Sequence, residues 1–238
     1  MRRTSFRWPV AALLVLAACT IENRTPAATN SDAIGAPPSI NAPDGVVLGT
    51  AADADSLLVD VRSLDSTILV DLRYRDSSNF TGAPLPGYEA NRALLHRSAA
   101  AALARVQLSL RAEGLSVKVL DAYRPVRATT AMVTWATQTG REDLISNGYI
   151  ADRSLHNLGV AIDCTLVDLA TGAELDMGTP YDTFTDSAHT ANAVGQVAVN
   201  RLRFVTAMAR EGFANYDKEW WHYSYVVTSP LRFDVPIR

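Results

Sequence analysis

A carboxylate lies inside an apolar segment of this chain, and it restricts how the chain can fold. Residues 154–166 read S-L-H-N-L-G-V-A-I-D-C-T-L, and the apolar run around Asp163 is typical of a short buried strand. A carboxylate that leaves water without a partner costs several kcal/mol or takes up a proton. The fold must bring a partner to Asp163, and His156 is a candidate because the chain has only four histidines.

The spacing between these two residues predicts a turn. Side chains alternate between the two faces of a strand, so Asp163 points away from its neighbour Cys164, which we interpret as a core residue. His156 lies seven positions before Asp163, and this odd offset would put the two on opposite faces of a straight strand. Asn157 and Gly159 are residue types that favour turns, so they can fold His156 back over Asp163.

The amino terminus has the pattern of an export signal, and we predict that residues 1–18 are a signal peptide of the lipoprotein type. Arg2, Arg3 and Arg7 precede an apolar run at residues 10–18, which is too short to span a bilayer. The sequence L-A-A-C that ends at Cys19 resembles the lipobox of bacterial lipoproteins. This resemblance implies acylation of Cys19, a membrane anchor and a periplasmic or cell-envelope location; ordinary cleavage, with Cys19 incidental, is the alternative.

Composition divides the rest of the chain into two parts. Residues 19–50 are rich in Pro, Ala, Ser and Asn without apolar periodicity, so we predict a disordered tether. Residues 51–238 suit one catalytic domain. The net charge is −3 and no basic stripe occurs, which argues against nucleic acid as a partner. Cys164 is the only cysteine after Cys19, so this domain cannot form its own disulfide.

The hydrophobic pattern mixes strands and helices without a repeating strand–helix–strand rhythm. We therefore predict an α+β fold, a single domain whose central, mainly antiparallel sheet is flanked by helices and carries the site. The predicted strands are 66–75, 116–121, 160–167 and 220–227, and the predicted helices are 96–113, 126–138 and 200–210. The first helix would begin at an N-cap, Ser98, and end at Gly114. The third would bury Leu202, Val205 and Ala209.

A second group of chemically useful side chains lies in Y-D-K-E-W-W-H-Y, residues 216–223. Two histidines and one carboxylate from different segments suffice for a catalytic zinc site with one position open to water. His156, Asp163 and His222 meet that requirement, and Glu219 is placed to act as the general base. Arg124, in D-A-Y-R-P, could stabilise an oxyanion or bind a substrate carboxylate.

Each of these residues also has a purely structural interpretation. Asp163 could cap a turn or pair with an arginine. His222, flanked by aromatic residues, is typical of a core histidine that has its hydrogen bonds satisfied. Glu219 could be a surface charge, and Arg124 a partner in a structural ion pair. No phosphate-binding glycine motif occurs in the chain, so nucleotide binding has no support.

Taken together, the motifs resemble one family. S-x-H-x-x-G-x-A-x-D at 154–163 and E-x-W-H at 219–222 resemble the zinc signature of the D-alanyl-D-alanine carboxypeptidase and hedgehog-like superfamily. D-A-Y-R-P, M-G-T-P-Y-D and E-W-W-H-Y are similar specifically to the VanX-like D-alanyl-D-alanine dipeptidases. The resemblance runs from Thr67 to Tyr225. It implies hydrolysis of D-Ala-D-Ala and related D-amino-acid dipeptides.

The resemblance also implies a role for each site residue. One zinc ion would be bound by His156, Asp163 and His222. Glu219 would be the base and Arg124 would stabilise the transition state. Asp182 would receive the ammonium group of the substrate, with Ser154 close to the same site.

The sequence leaves two other functions open. The first is a cell-wall D,D-carboxypeptidase or endopeptidase of the same superfamily. The second is a non-catalytic lipoprotein that binds wall peptides. Glu219 argues against the second, as does the number of protein ligands, because a structural zinc site normally has four and this one has three. Outside the cytoplasm, a dipeptidase would serve the turnover or recovery of wall peptides.

Overall fold

The computed structural model describes residues 48–238. The helices in this part of the chain are α1 (Ala51–Leu57), α2 (Arg97–Arg111), α3 (Val126–Gln138), α4 (Asp143–Ser146) and α5 (Gly195–Arg210). Its strands are β1 (Leu58–Asp60), β2 (Leu69–Val70), β3 (Leu94–His96), β4 (Leu115–Asp121), β5 (Ala161–Asp168), β6 (Phe213–Asn215) and β7 (His222–Tyr225).

The central sheet has five strands in the order β2-β4-β5-β7-β6. Only β2 and β4 pair in parallel, and the other three pairs are antiparallel. Strands β1 and β3 form a separate antiparallel pair. The predicted α+β class with a mainly antiparallel central sheet is confirmed.

One face of the sheet carries the main core. Helix α2 packs against β4 and α5, and α5 packs against β6. On this face, the Tyr223 ring of β7 meets Phe204 of α5 with centroids 5.1 Å apart. Ile162 is paired with Tyr223, and Asp163 with His222. Because the side chains of successive residues in a strand point to alternate faces of the sheet, Asp163 and His222 share the opposite face.

A β-bulge in β4 adds a second carboxylate to that opposite face. Val119 pairs with Cys164, but the next pair joins Asp121 to Asp163, so Leu120 is the extra residue. An extra residue in one strand reverses which side chains face each side beyond it. Asp121, Asp163 and His222 therefore lie side by side on three neighbouring strands.

The predicted elements nearest the site agree well with the structure. Helix α3 has the predicted bounds, and β4 and β5 agree with prediction to within one residue. Strand β7 is two residues shorter than predicted at each end: Trp220 and Trp221 belong to the turn that precedes it, and the strand ends at Tyr225. Ser98 is not the N-cap of α2: His96 holds that position, and its Nδ1 accepts a hydrogen bond from the Ser98 N–H at 3.3 Å.

The predicted strand 66–75 is largely wrong, since only Leu69–Val70 pairs with β4. A side chain from a later segment ends the pairing. The Asn91 amide accepts from the Leu72 N–H at 3.0 Å and donates to the Val70 carbonyl at 2.9 Å. The chain then continues as a 3₁₀ turn, Arg73–Arg75.

The predicted apolar face of α5 is also wrong, because 68% of Leu202 is exposed. The buried residues of this helix are Asn200, Arg201, Phe204, Ala207 and Met208. Arg201 is buried because its guanidinium donates to the carbonyls of Met177, at 2.6 and 2.9 Å, and of His189, at 2.7 Å. These bonds tie α5 to the segment that carries Asp182.

The folded part begins slightly before the predicted domain boundary. The Gly49 N–H donates to the Arg232 carbonyl at 2.8 Å, and Thr50 caps α1. The rest of the predicted tether, the predicted signal peptide and Cys19 lie outside the described residues. Between residues 48 and 238, no helix has the length and apolar character needed to cross a membrane.

Candidate active site

A 3₁₀ turn, Leu155–Leu158, presents His156 to the sheet. It begins where the Ser154 hydroxyl accepts a hydrogen bond from the His156 N–H at 3.2 Å. It ends at Gly159, whose φ of +64° lies in the left-handed region that favours glycine. The turn predicted from Asn157 and Gly159 is therefore present, and it brings the His156 ring to Asp163.

Gly159→Ala should destabilise the protein more than an alanine at an open left-handed glycine. A Cβ at Gly159 would lie 2.5 Å from Leu58 Cδ2 and 3.1 Å from the backbone nitrogen of His96. Left-handed strain costs about 1–2 kcal/mol, and overpacking adds about 1–3 kcal/mol. Urea unfolding measures both. The control is Gly114→Ala, at φ +72° with no atom within 4 Å; equal losses in the two variants would contradict the proposed crowding.

The structure brings His156, Asp163 and His222 together. His222 Nδ1 lies 2.9 Å from Asp163 Oδ1 and 3.3 Å from His156 Nε2, and His156 Nε2 lies 3.4 Å from Asp163 Oδ1. Ligands about 2.0–2.1 Å from one tetrahedral zinc ion are about 3.3 Å apart. The three atoms therefore have the spacing of ligands to a single ion.

The protonation of the histidines also fits a metal site. His156 Nδ1 lies 2.6 Å from the Ala122 carbonyl, which can only accept, so Nδ1 carries the proton and Nε2 keeps its lone pair for the cluster. Burial lowers the pKa of His222, although Asp163 opposes this shift. A neutral imidazole is the form that binds metal.

Glu219 lies beside this cluster in the turn before β7. Its Oε2 is 3.8 Å from His222 Nδ1, and the backbone of the turn is held by a hydrogen bond from the His222 N–H to the Glu219 carbonyl at 3.1 Å. Only 7% of Glu219 is exposed, so its interpretation as a surface charge is wrong. Burial raises the pKa of its carboxyl well above the usual range, Asp163 and Asp182 add to the rise, and Arg124 opposes it.

Arg124 is buried at the edge of the cluster. Its Nε and Nη2 donate to Asp121 Oδ2 at 3.0 and 2.8 Å, and its Nη2 lies 3.8 Å from Asp163 Oδ2. The guanidinium also lies over the Tyr74 ring, 5.1 Å from the centroid. The structural ion pair considered for Arg124 is thus present, and it fixes the side chain beside the metal-type cluster.

Asp121 is a residue that our sequence reasoning missed. It is fully buried, accepts from the Tyr88 hydroxyl at 2.6 Å and lies 3.4 Å from His156 Nδ1. It therefore contacts both Arg124 and His156. The available signal was its place at the start of D-A-Y-R-P, three residues before the arginine.

Asp182 is joined to the cluster through two tyrosines. The Tyr74 hydroxyl donates to its carboxyl at 3.0 Å, the Tyr74 and Tyr181 oxygens lie 2.9 Å apart, and Tyr181 donates to Asp163 Oδ2 at 2.8 Å. Burial raises the pKa of Asp182, and Asp163 adds to the rise. The family resemblance named Asp182, but neither the resemblance nor the residue patterns named Tyr181 beside it or Tyr74 as part of the site.

Ser154, the two other histidines and Cys164 lie apart from the cluster or on the opposite face. Ser154 is buried and its hydroxyl caps the turn; within the described residues no hydrogen bond joins it to Asp182. His96 caps α2, and His189 Nε2 lies 3.1 Å from the Tyr149 hydroxyl, so neither belongs to the cluster. Cys164 is fully buried and, by alternation, points to the opposite face from Asp163.

The site is of the metallopeptidase class: two histidines and a carboxylate converge on an antiparallel sheet, with a buried glutamate beside them. Comparison with known proteins is consistent with this class. The sequence profile of the peptidase M15 family, described as D-ala-D-ala dipeptidase, matches residues 54–231. The chain belongs to this family.

Similar proteins include two D-alanyl-D-alanine dipeptidases. That of Enterococcus faecalis is 36% identical over 171 residues, which make up 66% of this chain and 85% of that protein. That of Streptomyces coelicolor is 37% identical over 179 residues, 69% of this chain and 89% of that protein. A similar solved structure is that of the vancomycin resistance D,D-dipeptidase VanXYg in complex with a D-Ala-D-Ala phosphinate analogue. The match has a TM-score of 0.38 and 21% sequence identity, and it covers 73% of this chain and 68% of that chain.

Proposed function

We propose that this protein is a zinc-dependent dipeptidase that hydrolyses D-alanyl-D-alanine, and related D-amino-acid dipeptides, to free amino acids. The observation that carries the proposal is the convergence of His156, Asp163 and His222 within hydrogen-bonding distance, with Glu219 3.8 Å from His222. Membership in the D-ala-D-ala dipeptidase family supports the choice of substrate.

We assign one zinc ion to the three clustered side chains. His156 would bind it through Nε2, Asp163 through Oδ1 and His222 through Nδ1, the atoms that approach one another most closely. When bound, zinc supplies Lewis-acid chemistry: it polarises a carbonyl oxygen and lowers the pKa of a water molecule. The bonds from His156 to Ala122 and from Tyr181 to Asp163 orient two of the ligands.

Glu219 is positioned to act as a general base, beside the proposed ligand His222. Its carboxylate takes a proton from the attacking water and delivers it to the amine that leaves as the peptide bond breaks. The carbonyl carbon thereby gains the hydroxyl group of the water, and the leaving nitrogen gains its proton. The raised pKa of Glu219 makes the carboxylate a stronger base than an exposed glutamate.

Arg124 is placed to stabilise the negative charge that develops on the carbonyl oxygen. Asp121 and the Tyr74 ring hold the guanidinium in a fixed position, so little reorganisation is needed during the reaction. Two of its nitrogens already donate to Asp121, and the remaining N–H groups of the guanidinium are available for a substrate oxygen.

We assign the substrate ammonium to Asp182. The Tyr74 hydroxyl orients its carboxyl, and the bound ammonium would favour the ionised form of this half-buried acid. Ser154 stays a predicted neighbour of the substrate. Recognition of a free ammonium excludes peptides whose amino terminus is blocked, which separates a dipeptidase from the wall carboxypeptidase considered above.

A substrate panel tests this function. The purified, zinc-loaded protein should release D-alanine from D-Ala-D-Ala but not from N-acetyl-D-Ala-D-Ala or intact wall muropeptides, and L-Ala-L-Ala should be a poor substrate. Chromatography of the products measures each rate. Cleavage of muropeptides without cleavage of the dipeptide would favour the carboxypeptidase, and no turnover of any substrate would favour a binding protein.

We also propose that the protein is an exported lipoprotein anchored through Cys19. The support is the sequence of residues 1–19, which has the charge pattern and apolar length of a signal peptide and ends in L-A-A-C. In that location the dipeptidase would act on peptides from wall turnover. Mass spectrometry of the mature amino terminus should find an acylated Cys19, and an unacylated residue there would contradict the anchor.

A further inference from the structure

Asn157 follows the proposed zinc ligand His156 in the 3₁₀ turn and is fully buried. The sequence indicated only a turn-forming role for this residue, yet the left-handed position of the turn belongs to Gly159. A side chain that stabilises its own turn bonds to the backbone of that turn. Among the described residues, the Asn157 side chain makes no such bond and contacts other segments of the chain instead. The turn alone therefore does not explain this buried amide.

The Asn157 amide makes three hydrogen bonds. Its Nδ2 donates to the Arg124 carbonyl and to the Thr129 hydroxyl, both at 2.9 Å, and its Oδ1 accepts from Arg232 Nη1 at 2.8 Å. A backbone carbonyl can only accept and a guanidinium can only donate, so these partners determine which end of the amide is the nitrogen. Both N–H groups of the amide are in use, and its orientation is fixed by its partners.

The turn binds both polar groups of the Arg124 backbone. The Arg124 N–H donates to the His156 carbonyl at 3.1 Å, and the Arg124 carbonyl accepts from Asn157, 33 positions later in the chain. The side chain of Arg124 is held separately by Asp121. The pair with Asp121 orients the guanidinium, and the two backbone bonds set how far Arg124 lies from His156.

Residues 232 and 233 hold Asn157 in turn. Besides the bond from Arg232 to the side chain, the Phe233 N–H donates to the Asn157 carbonyl at 2.9 Å. The Phe233 carbonyl accepts from the N–H of Val126, the first residue of α3, at 3.2 Å. Asn157 thus joins the turn, the Arg124 segment with the start of α3, and residues 232–233. A buried polar network in which every member has partners keeps its groups in one arrangement.

We propose that Asn157 is a positioning residue, which holds Arg124 at the distance from the metal-type cluster where its guanidinium stabilises the transition state. The inference rests on the proposed function. Asn157 acts through the Arg124 carbonyl and not on the substrate itself. Since a misplacement of about 1 Å can lower a rate about 100-fold, loss of this bond should weaken the interaction with the transition state more than that with the substrate.

A double-mutant cycle on the binding of a transition-state analogue tests this role. Zinc-loaded protein is titrated calorimetrically with a phosphinate analogue of D-Ala-D-Ala, whose anionic oxygens take the place of the oxyanion. Asn157→Ala should weaken this binding about 10-fold or more. In Arg124→Met protein, which has no guanidinium to position, the same substitution should change the Kd by less than about twofold. Binding stays measurable where turnover is too slow to follow.

An isosteric variant repeats the test without emptying the site. Asn157→Asp keeps the shape of the side chain and an acceptor for Arg232, but its carboxylate cannot donate to the Arg124 carbonyl. It should therefore weaken the analogue at least as much as Asn157→Ala does. An Asn157→Asp protein that is folded in urea titrations and binds the analogue as the unmodified protein does would overturn the proposal.

The matched control is a second fully buried amide with the same bonding pattern. Gln107 donates to the Thr67 and Ser116 hydroxyls at 2.8 and 2.9 Å and accepts from the Val117 N–H at 2.9 Å. Gln107→Ala should lower the urea midpoint of unfolding but leave the Kd of the analogue unchanged. An equal loss of analogue binding in this variant would show that general destabilisation, not the position of Arg124, is responsible.

Kinetics and metal binding give two independent readouts. Asn157→Ala should lower kcat for D-Ala-D-Ala about 10-fold or more while KM stays within about threefold, as expected when an interaction made only in the transition state is lost. Its zinc affinity should stay within about threefold of the unmodified protein, because the bond from His156 Nδ1 to the Ala122 carbonyl remains.

The outcomes separate this inference from the proposed function. An equal loss of analogue binding with and without the Arg124 guanidinium would overturn it, and so would loss of zinc in the Asn157 variants, since Asn157 would then act on His156. Turnover of D-Ala-D-Ala by the unmodified protein is measured in parallel. If turnover is present but the cycle shows no coupling, the positioning role fails and the dipeptidase stands; if turnover is absent, the proposed function itself fails.

Discussion

The Glu219→Ala variant should lose about 1,000-fold in kcat for D-Ala-D-Ala, because a positioned general base contributes about 10²–10⁴-fold. It should keep its zinc, since the three proposed ligand atoms come from other residues. Kinetic assays and metal analysis of the same preparation measure both quantities. Loss of turnover with metal retained would show that Glu219 acts in the reaction itself.

Two companion substitutions sharpen this result. Glu219→Gln keeps the shape of the side chain but cannot take the proton, so it should be as inactive as the alanine variant. Glu142→Ala removes an exposed glutamate and should behave as the unmodified protein. Turnover that survives in both Glu219 variants would show that the assigned base is wrong.

The His222→Ala variant should lose both metal and turnover. Only His156 and Asp163 would remain, and two ligands do not make a stable zinc site. Loss of an outer-shell partner alone lowers metal affinity about 10–100-fold, so loss of a ligand should lower the affinity by more than about 100-fold. Competition with a fluorescent zinc chelator measures this affinity.

The matched control is a histidine outside the cluster. His189→Gln changes a half-buried histidine that lies beside Tyr149, and it should retain zinc at the affinity of the unmodified protein. Equal losses of metal in the two variants would indicate general damage to the fold. Full zinc affinity in His222→Ala would remove this residue from the ligand set.

Local sequence patterns predicted where the site begins, but they did not predict which distant residues complete it. Strand alternation and a turn at Gly159 predict that His156 approaches Asp163, and the structure shows this approach. His222 lies 59 positions beyond Asp163, so no local spacing connects the two; they were joined only by their residue types, as a possible set of zinc ligands, and by the family resemblance. The bulge that places Asp121 beside Asp163 left no signal in the hydrophobic pattern, because a shift of one residue depends on the pairing of β4 with β5.

Long-range polar contacts explain where the periodicity failed. Helix α5 buries Arg201 because backbone carbonyls from a distant loop surround its guanidinium, and this contact outweighs the apolar preference of Leu202. Likewise, the tyrosine pair between Asp163 and Asp182 joins segments 107 residues apart in the chain. A pattern read along the sequence cannot show such partners.

The central claim is zinc-dependent hydrolysis of D-Ala-D-Ala, and the most direct test is D-alanine release before and after removal of the metal. We expect a strong chelator to abolish release and one equivalent of zinc per chain to restore it. Release that continues in protein shown to be free of metal would contradict the account. Failure of zinc to restore release, in protein that can still fold correctly, would also contradict it.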